Sequence, residues 1–139
     1  MGVILVNDYI KKLCESLNIE IPIIEKDKSY LIKINDETEV KIWNLDPGYY
    51  FHSNVVLCPQ EKKEELFIYL MRANLLGQGT SKSRIGLDKE EKFLTISYSI
   101  AYEVKYIEFK EKLEDFVNYI IYWRKEIEQH KKIAAKTIL

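Results

Sequence analysis

The sequence predicts an α+β domain in which a twisted antiparallel sheet packs on helices, in the order α-β-β-β-α-β-β-α. Two periodicities predict this class. Apolar residues recur at helical spacing in segments 7–17, 59–76 and 107–128. In segments 30–45 and 93–100 they instead alternate with polar residues, which is typical of strands with one buried face.

Composition and charge narrow the classes of function. Of 139 residues, 47% are hydrophobic and 31% charged, and the formal net charge is −1. A surface that binds nucleic acid normally carries a basic excess, so we expect no nucleic-acid partner.

No run of 18 apolar residues is present, which predicts no membrane span. Cys14 and Cys58 lie far apart, as isolated buried cysteines do, and favour a reducing, cytoplasmic location. The length predicts a single domain over residues 1–139.

The first half of the chain predicts one helix followed by a meander of strands. The helix ends at Leu17 and begins at Val3 or Asn7. Pro22 then interrupts the pattern, which indicates extended chain or an additional edge strand near residues 19–24. Three strands follow, at residues 30–35, 40–45 and 49–57.

The second half predicts a helix, a hairpin and a long final helix. Pro59 suits a helix start, because the N–H that proline lacks has no partner there in any case, and Gly77 suits its end. The hairpin turns around Asp88–Glu91. The last helix starts near Ile107, and its basic end, about residues 129–139, is predicted to project or fray.

The loop after the second predicted helix contains Gly77, Gly79, Thr80, Ser81 and Lys82, the residue types of a phosphate-binding loop. Their order does not match the pattern GxxxxGK[ST], which also follows a strand and opens a helix. This loop follows a helix, whose nearby end exposes carbonyl groups and is negative, the opposite of what phosphate requires. We therefore interpret it as a helix stop and a turn.

No residue pattern indicates catalysis or metal binding. His52 and His130 are the two histidines, and neither has a second ligand at metal-binding spacing. No serine, cysteine or lysine has a recognisable nucleophile setting. We expect no catalytic residue, no cofactor and no metal, and therefore no enzyme.

Several predicted strands carry bulky residues on both faces. One interpretation is that helices bury both sets of side chains; the other is a surface for another chain, either a second copy or an extended segment. The sequence leaves both open. The neighbouring pairs are Leu31 with Ile32, Trp43 with Ile42, and Tyr50 with Phe51.

The stretch LFIYLMRANLLGQGTSKSRIGLDKEEKFLTISYSI, residues 66–100, resembles the Tir-chaperone-like (CesT/SycE) family of class I type III secretion chaperones. The family pattern is a helix ending in Leu-x-x-Ala-Asn-Leu-Leu, a small-residue loop, a Gly-Leu-Asp strand end, and a strand after an acidic turn. Here it falls on residues 70–76, the glycine-containing loop, residues 86–88 and residues 93–100.

The resemblance implies a bacterial cytoplasmic chaperone that forms a homodimer. It would hold the N-terminal segment of a type III secreted effector in an extended, secretion-competent state and deliver it to the export ATPase. The resemblance places Leu70, Ala73, Asn74, Leu87, Phe93 and Thr95 at the dimer interface. For effector binding it points to Ile10, Leu17, Ile21, Ile24, Leu31, Trp43, Tyr50 and Phe51 in the first helix and the meander.

The alternative hypothesis is a dimeric α+β scaffold or regulatory protein that binds a folded partner. The two hypotheses differ in the state of the bound chain. A chaperone's client is extended and protected from protease along its bound segment, whereas a scaffold's partner is folded by itself.

Overall fold

The computed structural model describes residues 7–76 and 83–137, and within these ranges the element order is the predicted one, which confirms the fold class. The elements are α1 (Asp8–Leu17), β1 (Ser29–Asn35), β2 (Thr38–Asn44), β3 (Tyr49–Leu57), α2 (Lys63–Leu76), β4 (Arg84–Leu87), β5 (Phe93–Ile100) and α3 (Tyr106–Thr137).

The described strands form one antiparallel sheet with the spatial order β1-β2-β3-β5-β4. The predicted meander supplies β1, β2 and β3, and β5 then pairs with β3 rather than with β1. Strand β3 is therefore central, whereas β1 and β4 are the two edges. This order puts the N-terminal hairpin at one side of the molecule and the α2–β4 connection at the other.

The β2–β3 turn depends on a glycine. Asp46–Pro47 is a cis peptide bond, and Gly48 follows with a φ of +94°, a region that residues with a side chain rarely adopt. A Cβ at Gly48 would lie 1.8 Å from the carbonyl oxygen of Ile100, where no atom fits. Glycine is therefore required here, because β5 approaches the turn too closely for any side chain.

The core lies between one face of the sheet and helices α1 and α3. Alternate strand residues such as Ile32, Ile42 and Phe51 are buried on this face. The ring of Phe51 lies 5.8 Å from that of Phe109 and 5.6 Å from that of Phe116, both on α3. These contacts join the central strand to the longest helix.

Helix α1 begins at a side-chain cap. The Oδ1 of Asn7 accepts hydrogen bonds from the backbone N–H of Tyr9 at 2.9 Å and of Ile10 at 3.4 Å, which satisfies donors that a helix start leaves unpaired. The hydroxyl of Tyr9 donates to the carbonyl oxygen of Val104 at 2.7 Å. Of the two predicted starts, Asn7 is therefore the cap; Val3 lies outside the described residues.

Two predicted features differ in the structure. Helix α2 begins at Lys63 rather than at Pro59, because Lys62 has a φ of +50° and cannot belong to a right-handed helix. Residues 19–24 form no strand, and Pro22 has no N–H to offer a ladder. The described part of helix α3 reaches Thr137 and includes buried Ala134, while fraying of the basic end stays a prediction.

Arg124 of α3 connects the helix to the β1–β2 turn and to β3. Its guanidinium donates to the carbonyl oxygen of Val55 at 2.9 Å, to Oγ1 of Thr38 at 2.6 Å and to the carbonyl oxygen of Glu37 at 2.9 Å. Thr38 is buried, so its hydroxyl has little access to water. One side chain thus fixes the position of the edge hairpin relative to α3.

We predict that Arg124→Leu lowers the free energy of unfolding by about 1–3 kcal/mol, because it leaves partly buried acceptors without a donor. Urea denaturation followed by circular dichroism measures this. Lys125→Leu, at the exposed neighbouring position, is the control and should change stability by less than about 0.5 kcal/mol. Equal stabilities for the two variants would contradict the bridging role of Arg124.

Candidate functional site

The outer edge of β1 carries unpaired backbone groups. Ser29 points its N–H and C=O away from β2, since they bond Oδ1 of Asp27 at 3.0 Å and the N–H of Glu25 at 2.9 Å. In an antiparallel ladder the direction alternates, so the N–H and C=O of Leu31 and Lys33 also point outward. This edge offers two donors and two acceptors to an extended chain.

The turn before β1 is held by a small polar network. The indole Nε1 of Trp43 donates to the carbonyl oxygen of Asp27 at 2.9 Å, and Nζ of Lys41 lies 3.3 Å from the Asp27 carboxylate and 3.4 Å from that of Glu25. Hydrogen bonds from Ser29, and then Lys41, lower the pKa of Asp27. The turn therefore ends before Leu31 and leaves the following edge uncovered.

An apolar groove runs between α1, the end of β1 and α3, with a volume of about 330 Å³. Leu17 and Ile34 are partly exposed in it, and Lys110 and Glu114 place charges at its rim. It lies beside the β1 edge, because Ile34 belongs to that strand. Its lining residues are Leu13, Leu17, Ile34, Lys110, Leu113, Glu114, Val117 and Asn118.

The segment 19–24, between α1 and β1, adds further apolar surface. Ile23 is 89% exposed and Ile21 is 42% exposed, while Ile19 and Ile24 are partly buried against the core. Isolated exposed apolar side chains are ordinary, but these lie on one segment that leads directly into the turn before β1. The β1 edge, the groove and this segment together form what we call the edge surface.

A second apolar surface lies on the outward side of α2. Ile68, Met71 and Leu75 recur at helical spacing and are 51%, 68% and 85% exposed. With Arg72, Asn74 and Arg84 they line a shallow hollow of about 510 Å³. We call Ile68, Met71 and Leu75 the α2 surface.

The residues assigned to effector binding fall into two groups. Ile10 and Phe51 are fully buried in the core and present no surface in the protomer. Leu17 lines the groove, Ile21 is exposed, and Ile24 and Leu31 are partly buried near the β1 edge. Trp43 and Tyr50 are partly exposed on the sheet face opposite the helices, with ring centroids 5.5 Å apart.

The residues assigned to the dimer interface lie around α2 and β4. Leu70, Ala73 and Thr95 are buried within the protomer, and Leu87 and Phe93 are partly buried. Asn74 lines the hollow but directs its amide to β4, where it bonds the backbone of Ile85.

Helical spacing picks out Leu66, Leu70 and Ala73 as one apolar stripe of α2, and all three are buried. Ile68, Met71 and Leu75 lie outside that stripe, and no role was predicted for them as a separate surface. The available signal was the surplus of apolar residues beyond the single stripe that a core-facing helix needs.

The described residues contain no group of three or more metal-ligating side chains. His52 is half-buried in β3, where burial and then the charge of Lys41 lower its pKa. His130 lies 3.4 Å from the carbonyl oxygen of Glu61.

The loop of residues 77–82, interpreted above as a turn, lies outside the described part of the chain. Among the described helices, none is long and apolar enough to cross a membrane.

Comparison with known proteins identifies relatives of this fold. Residues 9–124 match the model of the Tir chaperone protein (CesT) family. No curated protein sequence matches the chain significantly.

Three solved structures share the fold at low identity, which is evidence for the fold alone. The HopA1–SchA chaperone–effector complex contains a chain with a TM-score of 0.65 at 11% identity, covering 85% of this chain and 91% of that one. The ExsC–ExsE complex gives 0.65 at 10%, covering 85% and 90%. The heterodimeric ExoU–SpcU complex from the type III secretion system of Pseudomonas aeruginosa gives 0.59 at 10%, covering 88% and 93%.

We predict losses of stability of different size for two aromatic substitutions in adjoining strands. Phe51→Ala should lower the free energy of unfolding by about 3–5 kcal/mol, because it empties a fully buried ring site. Trp43→Ala should lower the free energy of unfolding by only about 1–2 kcal/mol, because it removes a partly exposed ring and one hydrogen bond. Thermal and urea unfolding measure both; a Trp43→Ala variant as unstable as Phe51→Ala would place Trp43 in the core.

Proposed function

Since the chain belongs to the Tir chaperone protein (CesT) family, we propose that it is a dimeric, non-catalytic chaperone of the bacterial cytoplasm. It binds the N-terminal segment of a type III secreted effector and keeps that segment extended and secretion-competent. The open β1 edge, flanked by apolar surface, is the single observation that carries this proposal. Delivery to the export ATPase belongs to the same proposal.

Strand addition is the binding mode that suits the edge surface. An extended client segment would pair with the outward N–H and C=O groups of Leu31 and Lys33. Each such hydrogen bond contributes only about 0.5–1.5 kcal/mol net, because it replaces a bond to water. Main-chain pairing therefore fixes the direction and register of the client, and apolar contacts must supply most of the affinity.

The groove beside β1 would supply those apolar contacts. In an added strand, alternate side chains point to the helix side of the sheet, where the groove around Leu17 and Ile34 begins. Ile21 and Ile23 would cover the client near the start of β1. We therefore expect a client segment with apolar residues at alternate positions, continuing past the strand into the groove.

The α2 surface is the proposed dimer contact. Its three exposed apolar side chains form a continuous stripe, and a patch of this kind on a soluble chain favours burial against a partner. Symmetric pairing of two α2 helices would bring Ile68, Met71 and Leu75 of each copy together. Leu70 and Ala73 would support this contact from within the protomer, and Asn74, Leu87, Phe93 and Thr95 would border it.

The experiment that tests the proposal is a native pull-down of the tagged chain from its own bacterium, followed by mass spectrometry and limited proteolysis of the complex. Recovery of a secreted protein whose N-terminal segment alone is protected supports the chaperone. Recovery of a folded partner without a protected extended segment would favour a scaffold instead. A wild-type chain that captures no secreted protein under secretion-inducing conditions would contradict the proposal.

We predict that Lys33→Pro weakens capture of that client at least tenfold while the domain stays folded. Proline removes one outward N–H and is tolerated on an edge strand. Lys33→Ala is the control, because it removes the charged side chain and keeps the backbone donor. Calorimetry with the recovered client segment measures both affinities, and equal weakening would assign the effect to the side chain.

We predict that Met71→Glu converts the dimer into monomer by placing two buried charges at the symmetric contact. Ile107→Glu, which introduces the same charge at a comparably exposed apolar position on α3, should leave the mass unchanged. Light scattering coupled to size-exclusion chromatography measures both. A Met71→Glu variant with the wild-type dimer mass would remove the α2 surface from the interface.

A further inference from the structure

The two edges of the sheet differ in what occupies their outward backbone groups. At β4, Nδ2 of Asn74 donates to the carbonyl oxygen of Ile85 at 2.7 Å, and the N–H of Ile85 donates to Oδ1 of Asn74 at 2.8 Å. In return, Nη1 of Arg84 donates to the backbone carbonyl oxygen of Asn74 at 3.0 Å. We call these three bonds between α2 and β4 the Asn74–Arg84 clamp.

The clamp reproduces the hydrogen bonds that a neighbouring strand would make. A carboxamide presents one donor and one acceptor side by side, as a peptide group of an adjacent strand does. At Ile85 both outward groups are therefore occupied by a side chain of the same protomer. The guanidinium of Arg84 adds a third bond between the two elements, to the backbone of the residue whose side chain holds Ile85.

Little of the described β4 edge remains free beside the clamp. Arg84 and Gly86 direct their backbone groups to β5, as alternation from Ile85 requires. Asp88 also turns inward, since its N–H donates to the carbonyl oxygen of Phe93 at 3.1 Å. Among the residues that the structure describes, this leaves Leu87 of β4 as the one whose outward backbone groups have no partner, which is too few to hold a strand.

We propose that the Asn74–Arg84 clamp closes the β4 edge, so that the sheet accepts an added strand at β1 alone. The strand added at β1 is taken from the proposed function, so this part of the inference rests on it. A chain with two open edges could join copy to copy, β4 of one against β1 of the next, in a head-to-tail series that does not close. The clamp thus fixes where an extended segment is accepted and limits each protomer to one.

Asn74→Leu tests the clamp without any client. It removes both amide bonds and frees the outward groups of Ile85. Sedimentation velocity should show a weight-average mass that rises with concentration to at least about twice that of the wild type, as edge-to-edge joining requires. Adding Leu87→Pro should restore the wild-type mass, because proline blocks the reopened edge.

The matched control is Gln129→Leu, which also replaces a carboxamide side chain by leucine, at an exposed position on α3 outside the edge surface and the α2 surface. It should keep the wild-type mass, which separates edge opening from added apolar surface. If Asn74→Leu does not fold, Asn74→Asp carries the test, because its carboxylate still accepts from Ile85 but repels the Ile85 carbonyl oxygen. A folded Asn74→Leu or Asn74→Asp variant with the wild-type mass at all concentrations would overturn the proposal.

The outcome is independent of client capture. A clamp variant that does not associate leaves the binding of an effector at β1 untouched. A wild-type chain that captures no effector leaves the closure of β4 in place.

Discussion

The packing of Phe51 against Phe109 and Phe116 is the contact on which the other surfaces depend. Phe51 lies on the central strand, and both partners lie on α3, so the three rings join the sheet to its longest helix. All three are buried. This contact turns one face of the sheet toward the helices. It therefore determines which side chains the helices cover and which lie on the opposite face or at the edges.

Placing α3 across the centre of the sheet leaves the two edges with different neighbours. At one side, Arg124 of α3 bonds the turn between β1 and β2. These bonds hold the hairpin in place and leave the outer edge of β1 uncovered. At the other side, the connection through α2 brings Asn74 next to β4. The difference between an open and a closed edge thus follows from the order of the strands and from where α2 returns to the sheet.

The sequence alone predicts the parts of this fold that depend on periodicity. Alternation in the meander predicts its strands, and the boundaries of β3 and β5 follow from the turn signals beside them. Periodicity could not tell Phe51 from Tyr50 as a surface residue, since both are aromatic and adjacent. Only the position of α3 decides which of the two faces the helix.

The surfaces themselves were less predictable, because they depend on long-range contacts. Helix α2 is apolar on both sides, so the spacing that identifies Leu70 as buried gives no function to exposed Met71. The two bonds between Asn74 and Ile85 join residues that are eleven positions apart, and helical spacing gives no sign that an amide near Gly77 pairs with a strand edge. The late start of α2 was also hidden, because it follows from the left-handed conformation of Lys62.

The central claim is that an extended client segment pairs with the outer edge of β1, and amide hydrogen exchange tests it most directly. Exchange would be compared between the free chain and the complex recovered from the native bacterium. The amides of Leu31 and Lys33 should become strongly protected in the complex, while those of the other β1 residues should change little. Protection confined to α2 or to the opposite sheet face, with unchanged exchange at Leu31 and Lys33, would contradict it.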